Sequence, residues 1–184
     1  MNAQNKLIES QIREIYGRVV YTHKTHEKCA DLLKSRSDIL KFIEITLSAL
    51  TTTSILVVLI GDGRFFQIIA TIFSTALLVL TLYSKDFNLL AIAENHKQAA
   101  LNILEIREEL LSLLVDIKIG NMEVELLQQK RDELNKQLVN TYRGAPKTIN
   151  KAYQIASRVL KENEEFTFSD EEINKFLPES LRKN

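Results

Sequence analysis

The chain has 184 residues, with 24 basic and 24 acidic side chains, one cysteine, no tryptophan, 5 glycines and 2 prolines. So little Gly and Pro excludes a turn-rich all-β, collagenous or linker-like chain, and a single cysteine excludes a disulfide scaffold or a Cys-rich zinc site. Zero net charge argues against a nucleic-acid surface, because phosphate neutralisation needs a basic surplus.

The charges are unevenly placed. Residues 1–44 carry 8 basic and 6 acidic side chains and residues 85–184 carry 15 and 17, whereas residues 45–84 carry only Asp62 and Arg64. Before the first of the apolar runs, Ile8, Ile12, Ile15, Val19, Thr22, His26, Cys29 and Leu33 alternate at spacings of four and three, a helical seam of nearly four heptads. This N-terminal amphipathic helix occupies residues 1–41, on the side facing the cytoplasm.

Two uncharged runs follow, Ile45–Ile60 and Phe65–Ser84. The second has 20 residues, which as a helix span about 30 Å, the thickness of a bilayer's hydrocarbon core. Lys41 and Glu44 can turn their charged heads to the interface, so that Phe42 and Ile43 lengthen the first span. Residues 42–84 therefore read as a two-span transmembrane hairpin with an outer turn, Gly61, Asp62, Gly63 and Arg64. A buried hairpin in a soluble core is the competing reading, but such cores rarely lose every charge over two consecutive runs of this length. Lys24, Lys28, Lys34, Arg36 and Lys41 precede the first span and only Arg64 lies in the turn, which predicts an inner, cytoplasmic-membrane location with both termini cytoplasmic.

Beyond the hairpin, Leu89, Ile92, His96, Ala99, Ile103, Ile106, Leu110, Leu113 and Ile117 form a second seam, and both seams should continue their spans as paired antiparallel helices. Leu90, Leu101, Leu104, Leu111 and Leu114 widen this stripe beyond what two helices need, so a third partner is expected. Gly120-Asn121 interrupts the helix. A helix over about 122–142 carries Val124, Leu127, Leu134 and Leu138 with Arg131 in their stripe, and Gly144-Ala145-Pro146 ends it. Another, about 147–162, carries Ile149, Tyr153, Ala156 and Leu160 on one face. These helices make up a cytoplasmic unit, 85–162. An acidic tail, 163–184, holds a capping box at Ser169-Asp170-Glu171-Glu172, and Phe166 and Phe168 form a short extended piece. The fold class is an all-α membrane protein, a two-span transmembrane helical hairpin continuing into an antiparallel cytoplasmic helical bundle.

Candidate chemistry is sparse. His23, His26, Glu27 and Cys29 resemble a metal site only superficially, since no second segment supplies further ligands; His26 and Cys29 read as seam residues, with His23 and Lys24 facing outward. No metal and no cofactor is expected. His26 lies 16 residues before Phe42 and His96 lies 12 after Ser84, within roughly 6 Å in depth, so the two imidazoles are a possible pH-sensitive switch layer, against the plainer reading of two structural histidines that never meet. In the spans, Ser48, Thr51, Thr52, Thr53 and Ser54 cluster mid-span, and Gln67, Thr71, Ser74, Thr75 and Thr81 follow one broad side. They are either helix-packing groups or pore-facing groups of an assembly. No phosphate loop, nucleophile elbow or activated cysteine is present, so no catalytic residue and no enzyme activity is assigned.

The layout resembles the SLATT family, the two-transmembrane effector modules of bacterial conflict systems. The resemblance runs from about Arg18 to about Leu160 and is carried by Val20-Tyr21-Thr22-His23-Lys24-Thr25-His26-Glu27-Lys28 and by Ala145-Pro146-Lys147-Thr148 with Tyr153. It implies a membrane effector of anti-phage defence that forms a homo-oligomer in the lipid bilayer, opens a pore or disrupts the inner membrane on activation, and causes abortive infection. It also implies a sensor partner or a cyclic-oligonucleotide signal. The alternative is a membrane-anchored helical adaptor that recruits a cytosolic partner without conducting.

Overall fold

The computed structural model describes residues 3–60, 63–120, 122–179 and 182. Its elements are α1 (Ala3–Ile60), α2 (Arg64–Phe87), α3 (Leu89–Ile119), α4 (Val124–Gly144), α5 (Asn150–Lys161) and α6 (Asp170–Phe176), and among the described residues there is no strand. Phe166 and Phe168 accordingly lie in turn and loop rather than in an extended strand.

α1 is one unbroken helix of 58 residues, about 87 Å long. It carries both the N-terminal seam and the first apolar span. α2 and α3 run back beside it, separated only at Asn88. Asn88 sits at φ 28° and ψ 59°, a left-handed conformation that asparagine tolerates better than most residues. Its N–H donates to the Ser84 carbonyl, closing α2, and its side-chain oxygen accepts from the Ala91 N–H, opening α3. The second span thus joins the bundle through a one-residue break, not as the continuous helix expected. Asn88→Ala is expected to cost about 1–2 kcal/mol through backbone strain and the lost cap. Asn88→Gly should cost less, and thermal unfolding in detergent compares the two; equal losses would place no strain at this residue.

The apolar core lies at the end far from the hairpin. Ile8, Ile12, Ile15 and Val19 of α1 pack with Ile103, Ile106, Leu110, Leu113 and Ile117 of α3 and with Leu127, Leu134 and Leu138 of α4. α4 of the same chain joins the α1–α3 core as a third helix, and Leu114 packs against that core. Leu104 is half-buried in the α1–α3 groove, and Leu90, Leu101 and Leu111 stay exposed. Arg131, inside the α4 stripe, donates to Gln11 Oε1 at 3.2 Å. Its cationic head leaves the core edge while its stem stays packed.

Punctuation differs in detail from the sequence expectation. Gly120 takes the left-handed C-cap of α3 at φ 82°, a conformation that favours glycine. Gly144, by contrast, is still helical, and the stop comes at Ala145, which is extended at φ −78° and ψ 142°. The residue before a proline is driven out of the helical region, so Pro146 ends α4 at Ala145, one residue later than a cap at Gly144 would. The expected face of α5 is met in part: Ala156 is buried, as is Ala152 beside it, while Tyr153 is half exposed with its ring 6.3 Å from that of Tyr21 of α1. Two alanines let the helix approach α1 closely where a tyrosine could not. The capping box at Ser169 is complete, with Ser169 Oγ accepting from the Glu172 N–H and Glu172 accepting from the Ser169 N–H.

Candidate functional site: a polar layer beneath the spans

Between the apolar core and the hairpin, the α1–α3 interface changes character. Four consecutive α1 residues, His23, Lys24, Thr25 and His26, are buried, which requires neighbours all around the helix. α3 and α5 pack against α1, and the chain after α5 covers what remains. His23 and Lys24 therefore do not face outward as expected; Phe166 stacks on the His23 ring, with centroids 5.5 Å apart, and Glu165 pairs with Lys24 Nζ at 2.6 Å.

His26 and His96 meet, with Nδ1 to Nδ1 at 2.9 Å and both rings buried. For that contact one imidazole must donate an Nδ1–H while the other accepts through a bare Nδ1. One added proton can go to the free Nε2 of the donor ring and leave the contact intact; protonating both rings places two donors face to face. Burial lowers the His26 pKa to about 4, helped by the neighbouring charges of His96 and His23. Burial also lowers His96. His23 is lowered by burial, with Arg107 and Lys24 adding to the shift and Glu27 and Glu108 opposing it. The layer is thus a set of imidazoles held neutral.

Lys24 is held charged. Burial alone would push its pKa down, but hydrogen bonds to Glu165 and Glu27 raise it, with Glu27 at 2.9 Å. The hydrogen bond from Lys24 in turn lowers Glu165. Arg107 of α3 reaches the layer too, its guanidinium 4.5 Å from the Phe166 centroid. Cys29, buried nearby, is a thiol whose pKa is pushed up by burial, which suits packing rather than reactivity. Beside the layer a groove of about 700 Å³ opens between α1 and α3, lined among others by Lys28, Lys34, Lys97, Leu90 and Leu101.

Sequence reasoning missed Arg107, Glu165 and Phe166. The available signal was complementarity: the Glu162–Glu172 stretch is acidic with phenylalanines, and the chain just before the first span is rich in lysine. Among the described residues no group of three or more His, Cys, Asp and Glu side chains gathers as a metal site.

The span candidates divide by exposure. Thr51 is half-buried and Ser54 buried, on the face of α1 that also holds Leu47 and Val58. Ser48, Thr52, Thr53, Gln67, Thr71, Ser74, Thr75 and Thr81 are exposed. Thr51, Thr52, Thr53, Ser54, Thr71 and Thr75 each donate to the carbonyl four residues back at 2.8–3.0 Å, so their hydroxyls are satisfied within their own helices. Gly61 and Asp62 of the outer turn lie outside the described residues. Gly63 is the N-cap of α2, its carbonyl accepting from the Gln67 N–H at 3.1 Å, and Arg64 begins the helix.

These features define a class: an all-α membrane protein whose two apolar helices form a hairpin on a helical bundle. Residues 8–172 match the SMODS and SLOG-associating 2TM effector domain family 4. The chain belongs to this SLATT family, two-transmembrane effector domains of anti-phage conflict systems, and no enzymatic family is indicated. No curated protein and no solved structure gives a significant match.

Proposed function

We propose that the chain is a defence effector that oligomerises in the bacterial inner membrane and opens or disrupts it when activated, ending in abortive infection. In this reading both termini lie in the cytoplasm, on the side of the lysine-rich flank of the first span. The activating signal is a sensor partner or a cyclic oligonucleotide. The observation that carries assembly is the outward side of α2, where Gln67, Thr71, Ser74, Thr75 and Thr81 are exposed. Threonine hydroxyls can be satisfied on their own helix, but an exposed glutamine amide at the outer edge of the span gains from a polar partner. A second copy bringing the same face supplies one, and a ring of copies would line a polar path with these side chains.

Induced expression with membrane-potential and dye-leak readouts tests the reading. Gln67→Leu combined with Thr71→Val is expected to reduce leak at least tenfold at unchanged membrane expression. An undiminished leak would remove the α2 face from the path. Absence of depolarisation under any trigger would favour the non-conducting adaptor.

A further inference from the structure

The stretch after α5 has a defined conformation rather than a trailing one. Glu164 adopts φ 48°, and its carbonyl accepts from both the N–H and the hydroxyl of Thr167 at 2.9 Å. This tight turn presents Glu165 and Phe166 together. Glu165 engages α1 through Lys24. The Phe166 ring lies against His23 of α1, 4.8 Å from Lys24 Nζ, and against Arg107 of α3. One side chain therefore bridges the two antiparallel helices.

The bridge sits where those helices hold each other least. The isoleucine and leucine core ends near Val19 and Ile103. From there toward the hairpin the buried residues include Cys29, Ala93, Ala99, Ala100, Thr25, Ser37 and the histidine pair, which are small or polar and bury little apolar area. The groove between α1 and α3 opens in this same stretch, and Phe166 forms part of its wall. Charge assistance and cation–π contacts of this kind are individually modest and partly screened, so the segment can hold the helices without locking them.

We propose that Glu165–Phe166 is a releasable latch that keeps the membrane-proximal parts of α1 and α3 closed, and that its release lets them separate beneath the spans. Regulation by this latch rests on the effector reading above; the docking itself does not. Because the chain has no tryptophan, Phe166→Trp places a single fluorescent reporter in the seat. In the full-length protein in nanodiscs its emission should be blue-shifted and weakly quenched by acrylamide. Adding Glu165→Gln or Arg107→Ala should shift it to the red and raise quenching at least threefold. Without the reporter, Phe166→Ala should speed amide exchange at least tenfold over residues 23–30 and 93–100 while residues 103–113 stay protected. Equal quenching in all backgrounds, or tail release with unchanged exchange in the two helices, would overturn the latch. The leak assay separates the two readings. Faster exchange with a raised basal leak supports both, whereas faster exchange with no leak from any variant upholds the latch and counts against the effector.

Discussion

Leu110→Ala is expected to destabilise the bundle by about 2–5 kcal/mol, lowering its thermal midpoint in detergent by many degrees. Leu110 is 1% exposed in the cluster where α1, α3 and α4 converge. Removing its branched end leaves a cavity that three packed helices cannot collapse, so the lost transfer free energy and the lost dispersion contacts add. The neighbouring residue is the control. Leu111 is 42% exposed on the same helix, and Leu111→Ala should change stability by no more than about 0.5 kcal/mol. Similar losses from the two would mean that the core is not where the burial pattern puts it.

Acidification is the second large effect, and its sign follows from the histidines. In the unfolded chain each titrates near 6.5. In the folded protein His26 is lowered to about 4 and His96 and His23 are also lowered, all chiefly by burial. A depressed histidine pKa means that the unfolded state binds more protons below 6.5. The stabilisation is therefore complete above that pH and is lost as pH falls toward 4, at up to about 1.4 kcal/mol per pH unit for each proton. No carboxylate acts on the pair itself: His26 feels only His96 and His23, and His96 only its burial. Glu27 and Glu108 oppose the shift at His23, where Arg107 and Lys24 add to it. Thermal midpoints at pH 8, 6.5 and 5 check this. The parent should fall steeply between the last two values, while His26→Leu/His96→Leu should fall much less, with His23 supplying the remaining slope. Parallel curves for parent and double variant would show that the imidazole pair does not govern the response.

The residues also show why some of the molecule was legible before any fold was known. A helix carries its environment in its periodicity, so the two seams could be read by spacing alone, and they became the buried faces of α1 and α3. The exception is near the start of α3, where Ile92 is exposed and Ala93 is buried instead. The α4 stripe could be read in the same way. Where periodicity weakens, so did the reading. α5 buries Ala152 and Ala156 fully and leaves Tyr153 and Leu160 at the edge of the contact, because close approach to α1 favours small side chains over large ones. Gly144 looked like a left-handed cap, yet the steric demand of Pro146 on Ala145 made such a cap unnecessary. His23 and Lys24 looked solvent-facing because a polar side chain off the seam normally is; the segment that completes their cover, Glu165–Phe166, begins 141 residues after Lys24.

The sequence by itself determined that this is a two-span helical membrane protein, because a neutral overall charge divides into two charged regions around 40 residues holding a single Asp and a single Arg. It also placed His26 and His96 within roughly 6 Å of each other in depth, since helical rise converts residue count into distance. That their rings touch at 2.9 Å, that α4 of the same chain is the third helix of the core, and that the acidic tail closes over Lys24 were decided by tertiary structure. Depth along a helix follows from counting, but azimuth and long-range closure depend on which surfaces find each other when the chain folds.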